Sequence, residues 1–416
     1  MTVETVDLDA LSDVALKVLN SNKEDAEFGE AKEFRKYDRS KELMEQLLDG
    51  VLSKKACTTV KNHIKKIEES IGTTLGEKGT NNHVYFTLEE IHLIYDALLG
   101  MNTKYHANIP QKFTMSEAYV WLLTNLKGGT GKTTASVYLA IALALYSFQR
   151  PRILVVDTDP QGQVHEYFDG RVINQDTTPT LGQVVSGFAV APKGMDHLEW
   201  LKTSVVRKSH VANIDYIPAL PSDTRLERFL NKKYFSPETE YDCLKLLNEK
   251  VIAPLKNSYD IILIDSPPHN NLSVQSGIYC ADGIIIPAAT KPMDSEPTLA
   301  YVKELAHKVN ILKEELDYPG VKAIRALPGM FNERRVSAKT VKRRYSKVFQ
   351  EMLLPEIIER EGYLNASQQF RTMFDYSTND DAGTPQRSHI INDWNSVAEQ
   401  LLRYMERYDD LKVGEE

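Results

Sequence analysis

Residues 119–134 read YVWLLTNLKGGTGKTT, and this stretch decides the fold of the chain. The apolar run YVWLLTN predicts a buried strand, and the segment from Thr133 to Tyr146 predicts the helix that follows it. Glycines and lysines fill the turn between them. Backbone amides of such a turn can curl around an oxyanion, and a helix N-terminus carries a partial positive charge. The stretch therefore predicts a phosphate-binding loop.

Two side chains of this loop have expected roles in nucleotide chemistry. Lys132 is expected to reach the β- and γ-phosphates of ATP, and the Thr133 hydroxyl to ligate Mg²⁺. Every residue of the loop is a candidate nucleotide contact: Lys127, Gly128, Gly129, Thr130, Gly131, Lys132, Thr133 and Thr134.

The loop departs from the standard motif at its start. Leu126 stands where the standard pattern has glycine, and a second lysine, Lys127, precedes the glycine pair. The form KGGTGKTT resembles the deviant Walker A box of the ParA/MinD ATPases. That resemblance implies a nucleotide-sandwich homodimer in which Lys127 touches the phosphates bound by the other subunit. Lys127, Lys132 and Asp159 are then the candidate catalytic residues.

Carboxylates follow two further apolar strands, at a place where a parallel sheet binds its ligands. Ile153–Asp157 leads into Asp159, and a second strand ends at Asp265. The resemblance implies that Asp159 orients the attacking water, that Asp157 lies near the Mg²⁺ shell and that Asp265 holds a magnesium-bound water. A simple strand-end cap is the alternative for Asp157. Asn332 lies where relatives contact adenine, although a surface turn is the alternative there.

Residues 114–416 alternate between apolar runs and helical stretches. We predict strands at YVWLLTN, RILVVD, NIDYIPA, YDIILID, DGIIIPA and VKAIRALPG. This alternation predicts an α/β P-loop NTPase fold with a mostly parallel sheet covered by helices on both faces. The resemblance to ParA proteins covers most of residues 116–350, and residues 101–113 are the predicted linker.

The segment before the linker predicts two further parts. Residues 37–100 read as a helix from Ser40, a basic helix over Cys57–Ser70, a Gly/Asn-rich wing and a helix that Thr87 and Glu90 begin with a capping box. This is the order of a winged helix-turn-helix DNA-binding domain. Residues 1–36 predict a helical arm, either for dimerisation or packed on its own domain, from the spacing of Leu8, Leu11, Val14, Val18 and Leu19.

Two basic runs are candidate DNA-binding surfaces on a chain whose net charge is −8. Residues 53–66 carry five lysines and no acid, and the candidate operator contacts there are Thr58, Thr59, Lys61, Asn62 and Lys65. Residues 337–349 put Lys339, Lys342, Arg343, Arg344 and Lys347 on one short helix, which we expect to lie far from the nucleotide. Clustered positive charge suffices for sequence-independent contact with DNA, and a solvated helix face is the alternative. Arg371 and Arg387 are candidates to extend the second run.

Bulk composition narrows the class of protein. A chain of 416 residues that is 42% hydrophobic and 26% charged predicts a soluble protein of two or more domains. The longest apolar run, Val137–Tyr146, is far short of the roughly 20 residues that cross a bilayer. The acidic N-terminus lacks a signal peptide, and Cys57, Cys243 and Cys280 form neither a zinc pattern nor a disulfide framework. A cytoplasmic location is expected.

Three other functions compete with DNA partition. A membrane-cycling MinD-like regulator needs a basic amphipathic helix where this sequence ends DDLKVGEE. A redox ATPase of the nitrogenase iron-protein type needs two cluster cysteines, and Cys280 alone is more typical of a core residue. A dedicated transcriptional repressor leaves the ATPase motifs without a role.

The resemblance to the long, self-regulating ParA proteins of plasmids implies a particular cycle. Such a protein binds ATP or ADP with Mg²⁺ and binds non-specific DNA as an ATP-dependent homodimer. A ParB-type centromere-binding protein stimulates hydrolysis, and the N-terminal domain binds operator DNA to repress the partition genes. The protein is then cytoplasmic and nucleoid-associated, with no membrane partner.

Overall fold

The computed structural model describes residues 32, 37–38, 47, 54–79, 83–101, 109–171, 173, 178–236, 241–269, 271–376 and 384–415. Its strands are β1 (Tyr37–Asp38), β2 (Glu77–Lys78), β3 (Val84–Phe86), β4 (Tyr119–Leu123), β5 (Ile153–Asp157), β6 (Arg207–Lys208), β7 (Ile214–Ile217), β8 (Ile261–Asp265), β9 (Gly283–Ala289) and β10 (Ala323–Gly329).

The α-helices of the same residues alternate with the strands. They are α1 (Lys54–Ile71), α2 (Leu88–Gly100), α3 (Lys132–Leu145), α4 (Val164–Phe168), α5 (Leu181–Ser186), α6 (His197–Trp200), α7 (Thr224–Tyr234), α8 (Ala253–Leu255), α9 (Leu272–Cys280), α10 (Pro292–Leu316), α11 (Val336–Phe349), α12 (Glu361–Ser367) and α13 (Thr384–Glu415).

A seven-stranded sheet in the order β10-β9-β4-β8-β5-β7-β6 forms the centre of the molecule. All six predicted strands are present in it, and they pair in parallel, whereas the short edge strand β6 is antiparallel to β7. Every residue of β4, β5, β8 and β9 is buried, because helices cover both faces of the sheet. The predicted P-loop NTPase fold, with a mostly parallel sheet covered by helices, is confirmed.

Alternate residues of β4 face two different hydrophobic cores. Trp121 belongs to the core that contains α3 and α13, and Leu122 belongs to the core that contains α9, α10 and α11. Aromatic contacts bind the first core together, since the ring of Tyr138 in α3 stacks on Trp394 in α13 at 5.5 Å between centroids. The helix α3 is therefore held on both sides, by the sheet and by α13.

The N-terminal elements form a smaller unit. Strands β1, β3 and β2 make a three-stranded antiparallel sheet, and α1 buries Val60, Ile64 and Ile67. The predicted capping box is present at the start of α2, where the Thr87 and Glu90 side chains each bond the other's backbone N–H. Two helices and a small hairpin are compatible with a winged helix-turn-helix, which stays a prediction. The predicted arm (1–36) and first helix (40–53) lie outside the described residues, apart from Lys32 and Leu47.

The helix α2 packs directly against the large domain. Arg150 binds Asp96 of α2 at 3.1 Å, and the Tyr95 and Phe148 rings meet edge to face at 5.7 Å. The predicted linker also begins to pack before its end, because Ile109 and Phe113 are buried. The N-terminal elements and the large domain therefore share an interface. In the described part of the chain, no helix is both long and apolar enough to cross a membrane.

Candidate nucleotide-binding site

The loop at residues 127–134 lies between β4 and α3, as the sequence predicts. Gly129 and Gly131 have φ angles of 73° and 83°, a backbone conformation that residues with a Cβ rarely adopt. Gly131 is the N-cap of α3, so the amides of the first helical turn point into the loop. This arrangement suits an anion, because those amides lack partners within the helix and carry the positive end of its dipole.

Asn125 fixes the start of the loop, a role that the motif alone does not reveal. This side chain is fully buried, and its Nδ2 donates to the Pro287 carbonyl at 2.8 Å and to Thr298 Oγ1 at 3.1 Å. Its Oδ1 accepts the backbone N–H of Lys127 at 3.1 Å. The loop is therefore anchored to β9 and α10 immediately after the strand that leads into it.

Lys132 is almost wholly buried, with 7% of its surface exposed. Burial lowers the pKa of its ammonium group, and the nearby carboxylates of Asp265 and Asp159 oppose that change. Lys132 is thus a positive charge held in a site of low dielectric, where its attraction for a phosphate exceeds that of an exposed lysine.

The carboxylate of Asp265 lies at the foot of α3. It accepts a hydrogen bond from Ser136 Oγ at 2.9 Å and another from the Thr133 side chain. Burial raises the pKa of Asp265, and these two hydrogen bonds oppose the rise. Ser136 was not among the predicted site residues, although its position three residues after Thr133 puts it on the same helix face.

Asp157 and Asp265 stand side by side, because β5 and β8 pair in parallel with these two residues in register. The Thr158 N–H and hydroxyl both donate to the Asp265 carbonyl, at 2.9 and 2.8 Å, which locks the two strand ends together. The Asp159 N–H donates to Asp157 Oδ1 at 3.0 Å. The structure therefore brings all three predicted carboxylates to the edge of the sheet that carries the loop.

Gly162 allows the chain to fold closely over Asp157. A Cβ at this position would lie 2.2 Å from Asp157 Oδ2, so any larger residue would displace the carboxylate. The Gly162 N–H also donates to the Asp159 carbonyl at 2.6 Å, which closes the turn after β5. In the sequence, this glycine is only the last residue of the run DTDPQG at residues 157–162. Its close approach to Asp157 is apparent only in the folded chain.

The two buried carboxylates suit a cation. Burial and the neighbouring Asp265 raise the pKa of Asp157, and Oδ2 of each residue has no hydrogen-bond partner in the described structure. Two buried acids with unsatisfied oxygens repel each other unless a positive charge lies between them. Among the described residues, no group of three or more His, Cys, Asp or Glu side chains forms a metal site. Ligands for Mg²⁺ would therefore include the Thr133 hydroxyl and phosphate oxygens.

Lys127 differs from Lys132 in its exposure. Its side chain is 44% exposed, and Nζ lies 3.8 Å from Asp294 Oδ1 at the start of α10. At that distance the ion pair is weak and easily exchanged for another anion. Lys127 therefore lies at the surface beside the loop, whereas Lys132 points into the site.

A cavity of about 400 Å³ opens beside the loop and is the natural place for a nucleotide base. Its lining includes Gly131, Thr134, Met330 and Arg360. Asn332, the predicted adenine contact, lies nearby but outside this lining, where its Nδ2 donates to Glu359 Oε2 at 3.0 Å. Met330 and Arg360 are therefore better placed for the base than Asn332, whose role stays a prediction.

The predicted operator contacts lie on the face of α1 opposite its buried residues. Lys61, Asn62 and Lys65 are exposed, as is Thr58, and Thr59 is half-buried. The helix therefore presents its basic face away from the core of its own unit, as an amphipathic helix should.

The second basic helix, α11, differs from the prediction at Lys342. Lys342 is half-buried and binds Glu356 Oε1 at 2.5 Å, so an acid from outside the helix neutralises it. The end of β10, several residues before this helix, lies beside the loop, because Met330 Cε is 3.8 Å from a Cβ position on Gly131. Lys339, Arg343, Arg344 and Lys347 remain exposed.

The two arginines proposed to extend this surface differ from each other. Arg371 is exposed, whereas Arg387 is only 9% exposed and its Nε donates to the Tyr376 carbonyl at 2.7 Å. The extension of the basic surface to Arg387 is therefore wrong, because that guanidinium supports the backbone inside the protein.

The three cysteines have the structural character expected of them. Cys243 and Cys280 are buried and Cys57 is partly exposed, and none forms a disulfide. Burial raises the pKa of both the Cys243 and Cys280 thiols. Both buried thiols are therefore protonated core side chains in this structure.

The part of the chain that carries this site is similar in sequence to known proteins. A family model described as an AAA domain matches residues 119–318. Plasmid partition protein A of Escherichia coli is 30% identical over 222 residues, which cover 50% of this chain and 52% of that protein. The chain thus matches about half the length of this relative. Chromosome partitioning protein ParA of Myxococcus xanthus is 27% identical over 249 residues, which cover 60% of this chain and 77% of that protein.

A solved structure of a partition protein shares the fold over almost the whole chain. It superposes with a TM-score of 0.66 at 19% identity, and the match covers 96% of this chain and 99% of that one. The matched segment of the sequence contains the loop, both carboxylate-bearing strands and most of the central sheet. Residues 119–318 of this chain therefore form an α/β P-loop domain that is similar in sequence to the partition proteins of these two bacteria.

Proposed function

We propose that this chain hydrolyses ATP in the presence of Mg²⁺ and uses the nucleotide cycle to partition DNA. One observation carries the proposal. The loop at residues 127–134 and the buried carboxylates of Asp157 and Asp265 meet at a single edge of the parallel sheet. An NTPase site requires three kinds of group: phosphate-binding amides, a buried lysine and acids suited to a cation.

Side chains around the loop carry out the chemistry of hydrolysis. Mg²⁺, when bound through Thr133, Asp157 and Asp265, would neutralise charge on the β- and γ-phosphates. Lys132 holds the same phosphates from the side of α3. Asp159 is half-exposed at the end of β5, with its backbone fixed by Asp157, and it orients the water that attacks the γ-phosphate. ADP and phosphate are the products.

A nucleotide-dependent homodimer follows from the position of Lys127. The exposed ammonium group lies beside the loop, and only a loose contact with Asp294 restrains it. In a face-to-face dimer, each Lys127 would reach the phosphates bound by the other subunit. ATP then stabilises the dimer because its γ-phosphate adds a contact across the interface.

Binding to non-specific DNA is assigned to α11 and depends on the dimer. Lys339, Arg343, Arg344 and Lys347 are exposed on this helix, and no described acid pairs with them. Because α11 follows β10, whose end borders the base cavity, nucleotide exchange can alter its position. The dimer doubles the number of charges that face the duplex, so affinity for DNA rises with ATP.

Operator binding is assigned to the N-terminal unit. Its helix α1 exposes Lys61, Asn62 and Lys65. The hairpin β2–β3 serves as the wing. Through this unit the protein represses its own partition genes. A ParB-type centromere-binding protein completes the cycle by stimulating hydrolysis and releasing the dimer from DNA, in keeping with the partition proteins to which the chain is similar. The protein works in the cytoplasm, on the nucleoid and not on a membrane.

DNA binding in three nucleotide states tests this function. The full chain is mixed with ATP and Mg²⁺, with ADP and Mg²⁺, or with no nucleotide, and its affinity for random duplex DNA is measured by fluorescence anisotropy. We expect ATP to raise affinity at least about tenfold through dimerisation. Size-exclusion chromatography with light scattering should show the dimer in the same condition. Equal affinity in all three states contradicts the proposed switch.

Replacement of Arg343 and Arg344 by alanine should weaken ATP-dependent binding to random DNA. Each lost phosphate contact should lower the slope of log affinity against log salt by about one unit. Both side chains are exposed, so ATP hydrolysis should persist. Affinity is measured by titration at several salt concentrations.

The matched control for this variant removes two lysines from α1. Lys61→Ala with Lys65→Ala should weaken binding to the operator and leave random-DNA binding and its salt slope intact. If the arginine variant keeps both its affinity and its slope, non-specific DNA binds elsewhere on the protein.

A further inference from the structure

A cleft of about 460 Å³ lies at the edge of the sheet opposite the nucleotide loop. It opens between α2 and the amino ends of β5, β7 and β8, where Arg152, Asn213 and Tyr259 line it. Because the strands are parallel, their amino ends lie on the far side of the sheet from the carboxylates of the ATPase site. The cleft is therefore a separate cavity, shared by the N-terminal unit and the ATPase domain.

Basic side chains dominate the lining of this cleft. Its basic members among the described residues are His92, Lys112, Arg150, Arg152, Lys202 and Lys208. The acids that line it are Asp96 and Asp215. Asp260, beneath Arg152, binds that guanidinium through both oxygens, at 3.1 and 2.8 Å. Five permanent cations therefore face two lining carboxylates, on a protein whose net charge is negative.

Two of these cations have no acid to balance them. Lys112 and Lys202 are exposed at the rim, and neither forms an ion pair with any residue that the structure describes. Lys208, by contrast, binds Asp215 at 2.8 Å. Like charges held around a concave surface repel each other, and an anion placed between them relieves that repulsion.

Hydrogen bonds hold Arg150 in a fixed position in the wall of the cleft. Its side chain is only 3% exposed, and its two terminal nitrogens donate to the Phe148 carbonyl at 2.8 Å and to Asp96 at 3.1 Å. Its buried Nε has no hydrogen-bond partner among the described residues. The backbone is strained here as well, because Phe148 and Arg150 have φ angles of 51° and 54°. This guanidinium therefore follows a strained turn and keeps one donor unsatisfied.

His92 of α2 lines the cleft from the side of the N-terminal unit. Burial, assisted by the charges of Arg150 and Lys112, lowers the pKa of His92 to about 4, so the imidazole is neutral near pH 7. Its Nε2 is buried and has no hydrogen-bond partner in the described structure. A neutral imidazole adds a hydrogen-bonding group without further positive charge.

We infer that this cleft binds a small phosphate-bearing anion, at a site distinct from the ATPase loop. The free ammonium groups of Lys112 and Lys202, with the charge of Arg150 behind them, match the oxygens of a phosphate or diphosphate. Duplex DNA shares this chemistry, but it presents phosphates on a convex surface that reaches Lys112 and Lys202 at the rim, not the buried Arg150. The small anion contacts α2 and the ATPase domain together, so it stabilises the interface between them.

Calorimetry with inorganic pyrophosphate tests the inference. The background is the full chain with Lys132→Ala, which weakens phosphate binding at the ATPase loop. We expect saturable binding in this background. Lys112→Ala with Lys202→Ala should then lower affinity at least about tenfold, because two charged contacts are lost. Arg150→Lys keeps the charge but loses the paired hydrogen bonds that fix it between Phe148 and Asp96, and should also bind more weakly.

The matched control removes two exposed lysines from α10 instead. Lys303→Ala with Lys313→Ala makes the same change in net charge and should bind pyrophosphate as the background does. A short random duplex is titrated in parallel. The inference is overturned if the background shows no saturable binding, or if either cleft variant binds pyrophosphate with unchanged affinity. It is also overturned if Lys112 and Lys202 prove necessary for the duplex and not for pyrophosphate.

Discussion

Lys132→Ala should abolish measurable ATP binding. Lys132 is only 7% exposed, and it opens α3 at the end of the loop. A charge-assisted contact in such a place contributes more than an exposed ion pair, and each 1.4 kcal/mol that is lost lowers affinity about tenfold. We expect affinity for ATP with Mg²⁺ to fall at least about a hundredfold, as measured by isothermal titration calorimetry.

Two variants make that result interpretable. Lys132→Gln keeps most of the length of the side chain and separates the loss of charge from the loss of packing. Lys303→Ala removes an exposed lysine on α10 and should bind ATP normally. Melting curves are needed for all three proteins, since removal of Lys132 takes a nearby positive charge away from Asp265 and Asp159. Near wild-type affinity in a folded Lys132→Ala protein shows that the loop does not bind the phosphates as proposed.

Asp159→Ala should bind ATP and fail to hydrolyse it. The carboxylate lies at the end of β5, and its Oδ1 accepts only the nearby Gln161 N–H at 3.0 Å among the hydrogen bonds described. It therefore supports little of the fold, and its loss should act on the attacking water. General-base and water-positioning groups contribute roughly 10²–10⁴-fold to rate, so turnover should fall by about that factor. The protein should accumulate as an ATP-bound dimer.

Steady-state phosphate release and ATP affinity must be measured on the same preparations. Gln161→Ala is the neighbouring control, because it is exposed and contributes only its backbone to the turn. If Asp159→Ala turns over ATP at the wild-type rate, positioning of the water belongs to Asp157 or to a group outside this turn. If ATP affinity falls instead, Asp159 acts in binding.

The sequence predicts the central domain well for a physical reason. Each of the six parallel strands is an apolar run, because helices cover both faces of the sheet and leave no polar side to alternate with. The phosphate loop is equally visible, since its glycines and lysines are local requirements of one turn. Asp157 and Asp265 could be paired in advance, because parallel strands bring their carboxyl ends together.

Contacts between distant parts of the chain were not predictable in the same way. The ion pair of Lys342 with Glu356 crosses from α11 to a later segment, and the basic run alone gives no sign of it. Arg387 looks like a surface residue until the carbonyl of Tyr376 is seen beside it. Asn125 was overlooked because its partners come from β9 and α10. Edge strand β6 is too short to leave a pattern.

The position of α13 has a consequence for how the protein is made. The indole N–H of Trp121, in the strand that leads into the loop, donates to the sulfur of Met405, 284 residues later in the chain. Until α13 is synthesised, the outer face of α3 stays uncovered and exposes the apolar surface around Tyr138 to solvent. Between the synthesis of Thr298, the last partner of Asn125, and that of α13, the emerging chain therefore carries a phosphate loop whose following helix is uncovered. Chaperones that shield apolar surface should bind the nascent chain during that interval.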